Sequence, residues 1–546
     1  MNTTRTLGWC GGVMLTLTGA SQSFDWVRQA GHNSSEQARA VSSDAFGNAY
    51  VTGEMSPGTT FEDTTLYGTF VDGFVAKYAA NGDLLWVRAI VGPDTESPYD
   101  ISTDPAGNSY VVGLFNMTAD FGDTTLTSAG SFDMFLAKYD TDGNLLWARR
   151  GGGNSGDAAE GVCVDGTGKV HVVGSFSLSA SFGGQTLVSV GQMDVFWVSY
   201  SANGDVIDAM RGGGTGADYA TDVDALGGHV AITGGFQGTA DLGSGTLTSN
   251  GQNEAFLACY TLTGMPLWSA SGGSDLPTGT EAGAGVAIGY DGLVYMSGSA
   301  GGNATFGPLS FTANGGGQYM DAFVVAYDTN GTGAWINHGG GNTVDGANAI
   351  AAAPGGGVYV TGHYNGLATF SGEVLQPFSI DSDIFTSHYS TTGTLQWIKA
   401  AGGPYGEDAG SGICLATDGL FVAGLMNRTA TFDGITLPVL YLERNIFLAH
   451  MALDNATPVT DGAISLKPFR LVPNPAIDEV RLEVDPSWTG RVMVRVADMA
   501  GHELLVRSVD LGGSAWLSIA DLAPGMYLCT VSKDGAALSG RLQVVR

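Results

Sequence analysis

Two series of carboxylates recur along this chain at a fixed phase. Glu36, Glu96, Asp157, Asp218, Glu281, Asp345 and Asp408 each stand five residues before the central apolar residue of a short β run. Asp72, Asp133, Asp194, Glu254, Asp321 and Asp383 each stand two residues before an aromatic residue, with Asn445 in the seventh such place. Both series fall at the starts of the first and third strands of a repeated unit, and these strands run the same way in an antiparallel sheet. They are therefore expected on one face, where oxygen-rich groups attract cations, Ca²⁺ in particular. A structural role is the stronger expectation. First and third strands are about 10 Å apart, where two exposed charges repel by only about 0.4 kcal/mol in water. A carboxylate present in every unit also suits a repeated turn, whose N–H groups it accepts. No cofactor is expected on these grounds, and Ca²⁺ is the cation that such a face would take.

Other chemistry-bearing residues are sparse. His32, His171, His229, His338, His363, His388, His450 and His502 are scattered. His388 and His450 share a slot with Lys77 and Lys138, and that slot reads as solvent-facing. There is no HExxH, no Ser/His/Asp set legible in the order of residues, and no carboxylate pair standing apart from the repeats, so no catalytic residue is assigned. Cys163, Cys259, Cys414 and Cys529 form no close pairs and read as small buried apolar residues. The runs Gly151–Gly153, Gly212–Gly214 and Gly339–Gly341 lack a following helix or Lys, and read as turns rather than phosphate loops. The repeat breaks at Asp208, which stands where other units have Trp, at Asn445, and in a longer fifth unit.

The elements that must position these groups follow from the repeat itself. Trp26, Trp86, Trp147, Trp268, Trp335 and Trp397 recur in step, as do Phe74, Phe135, Phe196, Phe256, Phe323, Phe385 and Phe447. Each unit of about sixty residues resolves into four short β runs split by Gly, Asn and Asp turns. In the second unit these are Tyr99–Thr103, Ser109–Leu114, Met134–Tyr139 and Asn144–Arg149, the last two joined by Asp140-Thr141-Asp142-Gly143. Seven such units over residues 24–453 give an all-β expectation, a seven-bladed β-propeller. A β-helix is the competitor, with coils usually shorter than these units. The series opens on a Trp-type strand at Phe24 and ends on Phe447-Leu448-Ala449-His450-Met451 without one, so the first strand is expected to complete the last blade.

The repeats resemble the bacterial β-propeller repeats named SBBP. The resemblance rests on Asp-x-Phe-[Leu/Val]-Ala-Lys-Tyr-x-x-x-Gly-x-Leu-x-Trp at Asp133 to Trp147 and Gly-Asn-x-Tyr-Val-x-Gly at Gly107 to Gly113. It implies architecture and no single activity. The Ala137 to Trp147 hairpin also resembles the tryptophan-docking motif of quinoprotein propellers, which implies Trp packing between neighbouring blades.

The ends carry addresses. A basic start, the apolar stretch Leu7 to Ala20 and small residues to Ser23 read as a secretory signal at 1–23, too short to span a bilayer. Residues 454–467 read as a polar linker. Residues 468–546 alternate as half-buried strands, as in Val480 to Val484 and Val492 to Val496, and read as a small Ig-like antiparallel sandwich. This segment resembles the type A C-terminal sorting domain of the type IX secretion system of Bacteroidota. The matching residues are Pro473, Asn474 and Pro475, then Asp498 and Gly501, then Leu522, Gly525 and Tyr527, before the closing Arg541 to Arg546. The resemblance implies passage through the periplasm to the cell surface or the medium, with the type IX machinery as partner.

Composition bounds the rest. The 546 residues include 85 Gly, and 53 acidic against 22 basic residues give a net charge of -31. That sign excludes nucleic-acid binding by counterion release. The expected function is a monomeric, secreted or surface-bound binding or adhesion protein, with an extracellular glycan or protein as ligand. The alternative is a secreted hydrolase or lyase acting on polysaccharide.

Overall fold

In a computed structural model the described residues are 22–453, apart from 33, 251, 275–280, 318 and 441, together with 470–472, 479–483, 489–498, 503–512, 514–520, 522, 525–533 and 536–544. The expected leader lies almost wholly outside them, and the expected linker wholly so. The chain divides into two compact units, Met1–Ala456 and Thr457–Arg546.

In the larger unit the regular elements of the described residues are β-strands, apart from one 3-10 turn at Asn314–Gly317. Their strands form seven antiparallel sheets built alike. In the second, the strands Glu96–Thr103, Ser109–Asp120, Thr125–Tyr139 and Leu145–Gly153 pair in sequence order. Third strands such as Asp72–Tyr78 and Asp194–Tyr200 are buried at every residue. Neighbouring sheets cover both their faces, so their middles are continuous apolar stretches rather than alternating ones, with a buried polar residue towards each end. The turn into the outer strand is tight: Gly143 has φ of 77°, and its N–H reaches the Asp140 carbonyl at 3.1 Å.

The inner strands contact one another in cyclic order. Gln37–Ser43 is followed by Glu96–Thr103, Asp157–Val164, Tyr219–Leu226, Ala282–Ile288, Gly346–Ala352 and Ala409–Leu415, and the last touches the first. The sheet of Ala409–Leu415, Gly419–Asn427 and Arg444–Ala452 takes its outer strand from Ser23–Gly31, in register from Ser23↔Ala452 to Ala30↔Ile446. Core clusters lie between sheets rather than within one. Val112 and Leu136 of the second sheet, for example, pack with Val172 and Val198 of the third.

Four strands per unit understates the pairing. A short hairpin between the second and third strands reaches back onto the outer strand of the preceding sheet. Thr60–Phe61 pairs with Ser23–Gly31, Ser179–Phe182 with Leu145–Gly153, and Thr239–Asp241 with Val206–Gly214. Asn303–Phe306, Ala368–Phe370 and Thr431–Phe432 repeat the contact further on. In the second unit the link is a single bridge, Val91↔Asp120. Strands of two to four residues are too short to show alternation in a sequence.

The smaller unit contains two sheets. Arg470–Val472, Glu479–Glu483 and Ser514–Ser518 make one; Glu503–Gly512, Thr489–Asp498, Gly525–Lys533 and Ala536–Val544 make the other. Its core includes Val480, Leu482, Val494, Val496, Tyr527 and Val531. Leu522 and Tyr527 are buried in it, whereas Pro473, Asn474, Pro475 and Gly501 lie outside the described residues.

Candidate functional site

The tryptophans are anchors between sheets. Each indole N–H donates to a carbonyl in the third-to-outer turn of the next sheet: Trp26 to Ala80 at 3.1 Å, Trp86 to Thr141 at 3.0 Å, Trp147 to Ala202 at 3.3 Å, Trp268 to Thr329 at 3.0 Å and Trp335 to Thr391 at 2.9 Å. The turn glycine makes room, since a Cβ on Gly143 would stand 2.6 Å from the Trp86 ring. The seventh sheet has no such turn, because its outer strand is Ser23–Gly31, and Trp397 shares a core cluster with Leu453 there. Beside these anchors, Lys77 and Lys138 are buried, not solvent-facing, and His450 shares that burial. Each ammonium lies over a tyrosine ring, Lys77 on Tyr50 at 4.8 Å and Lys138 on Tyr110 at 4.7 Å, with Asp44 and Asp104 at 3.7 and 3.6 Å. Charge pairing and cation–π contact offset the burial.

The two carboxylate series do not form an exposed face. Glu36, Glu96, Asp157, Asp218, Glu281, Asp345 and Asp408 are buried, and so are Asp72, Asp133, Asp194, Glu254, Asp321 and Asp383. The relevant neighbours are across a junction rather than across a sheet. The third-strand acid of one unit meets the first-strand acid of the next beside a glycine run. A Cβ on Gly152 would stand 2.4 Å from Asp133 Oδ1 and 3.0 Å from Asp157 Oδ2. On Gly213 it would stand 2.4 Å from Asp194 Oδ1 and 2.8 Å from Asp218 Oδ2, and Gly340 repeats this with Asp321 and Asp345. The glycines are thus cleared for the acids.

The four first-strand aspartates each accept two backbone N–H groups from different segments, whereas Glu96 leaves both carboxylate oxygens without a hydrogen-bond partner. Asp157 takes Gly153 at 2.7 Å and Ser177 at 3.3 Å; Asp345 takes Gly341 and Asn365, both at 2.8 Å; Asp408 takes Gly403 at 2.8 Å and Asn427 at 2.7 Å. The third-strand acids are less well satisfied. Asp133, Asp194, Asp321 and Asp383 each leave Oδ1 without a hydrogen-bond partner. Arg150, Arg211 and His338 contact the other oxygen of the first three, at 3.0, 3.2 and 2.7 Å.

Burial first, and the facing carboxylate second, move these groups. Glu96 is pushed up to about 8 by burial and by Asp72. Burial raises Asp157 to about 7, Asp345 to about 7 and Asp408 to about 8, with Asp133, Asp321 and Asp383 adding to it. A carboxyl held this high keeps its proton to nearer neutrality than an exposed one does. The series meet in pairs, and among the described residues no group of three or more His, Cys, Asp or Glu is placed to hold a metal ion.

All seven inner strands contribute to a central cavity of about 830 Å³. Its charged lining is Arg39, Asp100, Glu160, Asp222 and Asp224. The aspartates stitch strand to strand. Asp100 takes the N–H of Ile101 at 2.8 Å and of Val162 at 2.7 Å; Asp222 takes Val223 and Val286, both at 2.8 Å; Asp224 takes Ala225 at 2.8 Å and Ile288 at 2.7 Å. Burial raises all three, Asp100 to about 7, and Glu160 to about 7 against the pull of Arg39.

The structure also assembles a Ser/His/Asp set that the order of residues hides. His171 Nε2 is 3.1 Å from Asp165 Oδ2, and Nδ1 is 3.2 Å from Ser199 Oγ. Burial opposes ionisation of Asp165, but hydrogen bonds from His171, Thr167 and Lys169 hold it below the usual carboxylate range. The set is a variant of the repeat: His171 takes the slot of Tyr50 and Tyr110, and Ser199 that of Lys77 and Lys138. It is sealed. His171 is wholly buried, the Trp197 indole N–H occupies the same Nδ1 at 3.2 Å, and the space beside Ser199 is about 20 Å³. That volume holds a water, not an acyl substrate.

Residues 470–545 match the secretion system C-terminal sorting domain family. The segment is a type IX sorting domain, which makes this an exported protein, secreted or held at the outer cell surface, and implies contact with the type IX machinery. Among the described residues no helix is long and apolar enough to cross a membrane. An uncharacterized WD repeat-containing protein, L264 of Acanthamoeba polyphaga mimivirus, is 29% identical over 156 residues, 25% of this chain and 11% of that protein. The chain thus spans about a tenth of that relative's length. A fungal alcohol oxidase of the AA5 family, in complex with copper, aligns over 96% of this chain and 100% of its own at 14% identity and a TM-score of 0.40. Dimeric latent PorU from Porphyromonas gingivalis aligns over 95% of this chain and 34% of its own, at 9% identity and a TM-score of 0.15. Likenesses at these scores bear on neither activity nor ligand.

Proposed function

We propose that this exported chain is a binding or adhesion protein: a monomeric seven-bladed β-propeller of SBBP type at residues 24–453, released from its leader and carried outward by an Ig-like sorting domain. The cyclic order of the inner strands and the outer strand donated by Ser23–Gly31 support the propeller reading. One observation carries the functional half. The aspartates of the central cavity each have both oxygens engaged by backbone N–H groups, and the only Ser/His/Asp set is sealed among the described residues. An acidic polar cavity whose aspartates are taken up in joining strand to strand suits holding an extracellular glycan or protein better than cleaving one. Screening the purified protein on a glycan array and against a polysaccharide panel tests this. Binding without turnover is expected, and product released from any polysaccharide overturns it.

The tail makes a separate prediction. Deleting residues 470–545 should leave the protein in the periplasm of a type IX-competent host, measured by cell fractionation. Undiminished arrival at the surface or in the medium would remove the sorting role.

A further inference from the structure

The repeat supplies its own control for every junction between sheets. In six of the seven sheets a Phe from the back-reaching hairpin packs on the third-strand Phe. The ring centroids are 4.9 Å apart for Phe61–Phe74, 5.2 Å for Phe121–Phe135, 4.8 Å for Phe182–Phe196, 4.7 Å for Phe306–Phe323, 4.8 Å for Phe370–Phe385 and 5.1 Å for Phe432–Phe447. In the fourth sheet Leu242 stands at the hairpin position, opposite Phe256. The outer strand facing it, Val206–Gly214, carries the other loss, Asp208 in the Trp slot. Two residues further on it has Met210, where Arg28, Arg88 and Arg149 stand in other units.

The phenyl ring of the hairpin is missing from this junction and space is left, while Trp197, where other units have Val75, Leu136 or Leu257, brings an indole of its own to within 5.1 Å of Tyr260. A cavity of about 330 Å³ opens there, walled by Trp197, Met210, Ile232, Leu242, Phe256 and Tyr260. Its walls are pinned and cannot collapse into it by simple rotation. The Trp197 indole donates to His171 Nδ1 at 3.2 Å, and Asp165 holds the imidazole from the other side at 3.1 Å. The Tyr260 hydroxyl donates to the Leu242 carbonyl at 2.8 Å. The Leu262 carbonyl, in the place where other turns receive an indole N–H, is taken by Lys169 Nζ at 2.8 Å. The sealed His171 set thus has a use without chemistry: it fixes the ring that forms one wall.

We propose that the junction between the third and fourth sheets is a binding pocket for a small uncharged aromatic compound, whose ring lies against Phe256 where the other junctions place their own phenyl ring. The size suits one ring system, since ligand sites begin at about 300 Å³. The lining suits it as well: aromatic edges and a thioether favour a flat polarizable ring over an alkyl chain. The neighbouring Arg211 is already engaged by Asp194 at 3.2 Å, so no charge on the ligand is called for. The pocket is separate from the central cavity and does not depend on the glycan or protein reading.

Indole is the probe, titrated into the full-length purified protein by calorimetry and followed in parallel by saturation-transfer NMR. Saturable one-to-one binding is expected with a Kd below about 1 mM. Leu242→Phe returns the missing phenyl ring and should weaken indole at least about tenfold, with the melting temperature unchanged or raised. Met210→Phe, at another wall of the pocket, serves as a second filling variant if Leu242→Phe does not fold. Absence of saturable binding to the unaltered protein overturns the proposal. So does undiminished binding in a folded filling variant, which would place indole elsewhere.

Discussion

Excising Ser23–Gly31 is expected to lower the melting temperature by about 10–30 °C and to make the protein associate. The strand fills a sheet edge along its length, from Ser23↔Ala452 to Ala30↔Ile446. It buries Phe24, Val27 and Ala30, and Phe24 meets Phe432 edge-on at 5.2 Å. Trp26 donates to Ala80 across the next junction, and Arg28 clamps the same turn through Gly82 at 2.9 Å and Asn81 at 3.1 Å. At about 1.5–3 kcal/mol for each large side chain buried, the strand contributes on the order of 5–8 kcal/mol. At about 2–4 °C per kcal/mol for sizeable domains, the expected shift follows. The strand Arg444–Ala452 would be left with unpaired N–H and C=O groups, an edge that recruits other chains. Calorimetry and size-exclusion chromatography read the two effects. An unchanged melting profile would mean that the ladder contributes nothing to stability.

Alkaline pH is the second large lever. The junction carboxyls hold their protons well above the usual range, through burial first and the facing acid second: Asp218 to about 6, Asp157 and Asp345 to about 7, Glu96 and Asp408 to about 8. In the unfolded chain the same groups ionise near 4. The folded state therefore binds more protons between those limits, so stability falls as pH rises there. This contribution is whole below about pH 4 and is lost progressively as pH passes through 6 to 8. On the acid side His388, held near 4 by burial, acts in the opposite sense: its share of stability is lost as pH falls from about 6.5 to 4. A melting temperature highest near pH 4–5 and lower by at least about 5 °C at pH 9 is expected.

General repulsion from a net charge of -31 would give the same slope, so a variant is needed to separate the two. Asp383→Asn places an amide donor where Asp383 Oδ1 now lacks a partner and removes the charge facing Asp408. The seventh unit already carries Asn445 at this position. The variant should flatten the fall above pH 7 at its own junction while changing the net charge by one unit. An alkaline limb as steep as before would assign the slope to general repulsion.

The antiparallel all-β character, the repeat period and the sorting tail were legible in the residues themselves, because each is local. A Gly at positive φ fixes a turn, alternation fixes a face, and the ordered residues from Leu522 to Tyr527 fix a family. The unbroken burial of Asp72–Tyr78 was not legible, because Asp72 and Lys77 towards its ends read as exposed. The back-reaching hairpins were not either, since strands as short as Thr60–Phe61 carry no periodicity.

The candidate sites belong to tertiary structure. A period of two says which face a side chain takes, but not which neighbouring sheet lies against that face. Asp133 and Asp157 look like successive members of two exposed series until the junction places both beside Gly152. Lys77 looks solvent-facing until Tyr50 and Asp44 surround it. Asp165, His171 and Ser199 follow no familiar order and meet only because three strand segments pair. Met210 and Leu242 are unremarkable substitutions apart and wall one cavity only because Val206–Gly214 pairs with Thr239–Asp241. Short-range pattern chose the elements; the packing of sheet against sheet, which no single strand encodes, decided what each side chain meets.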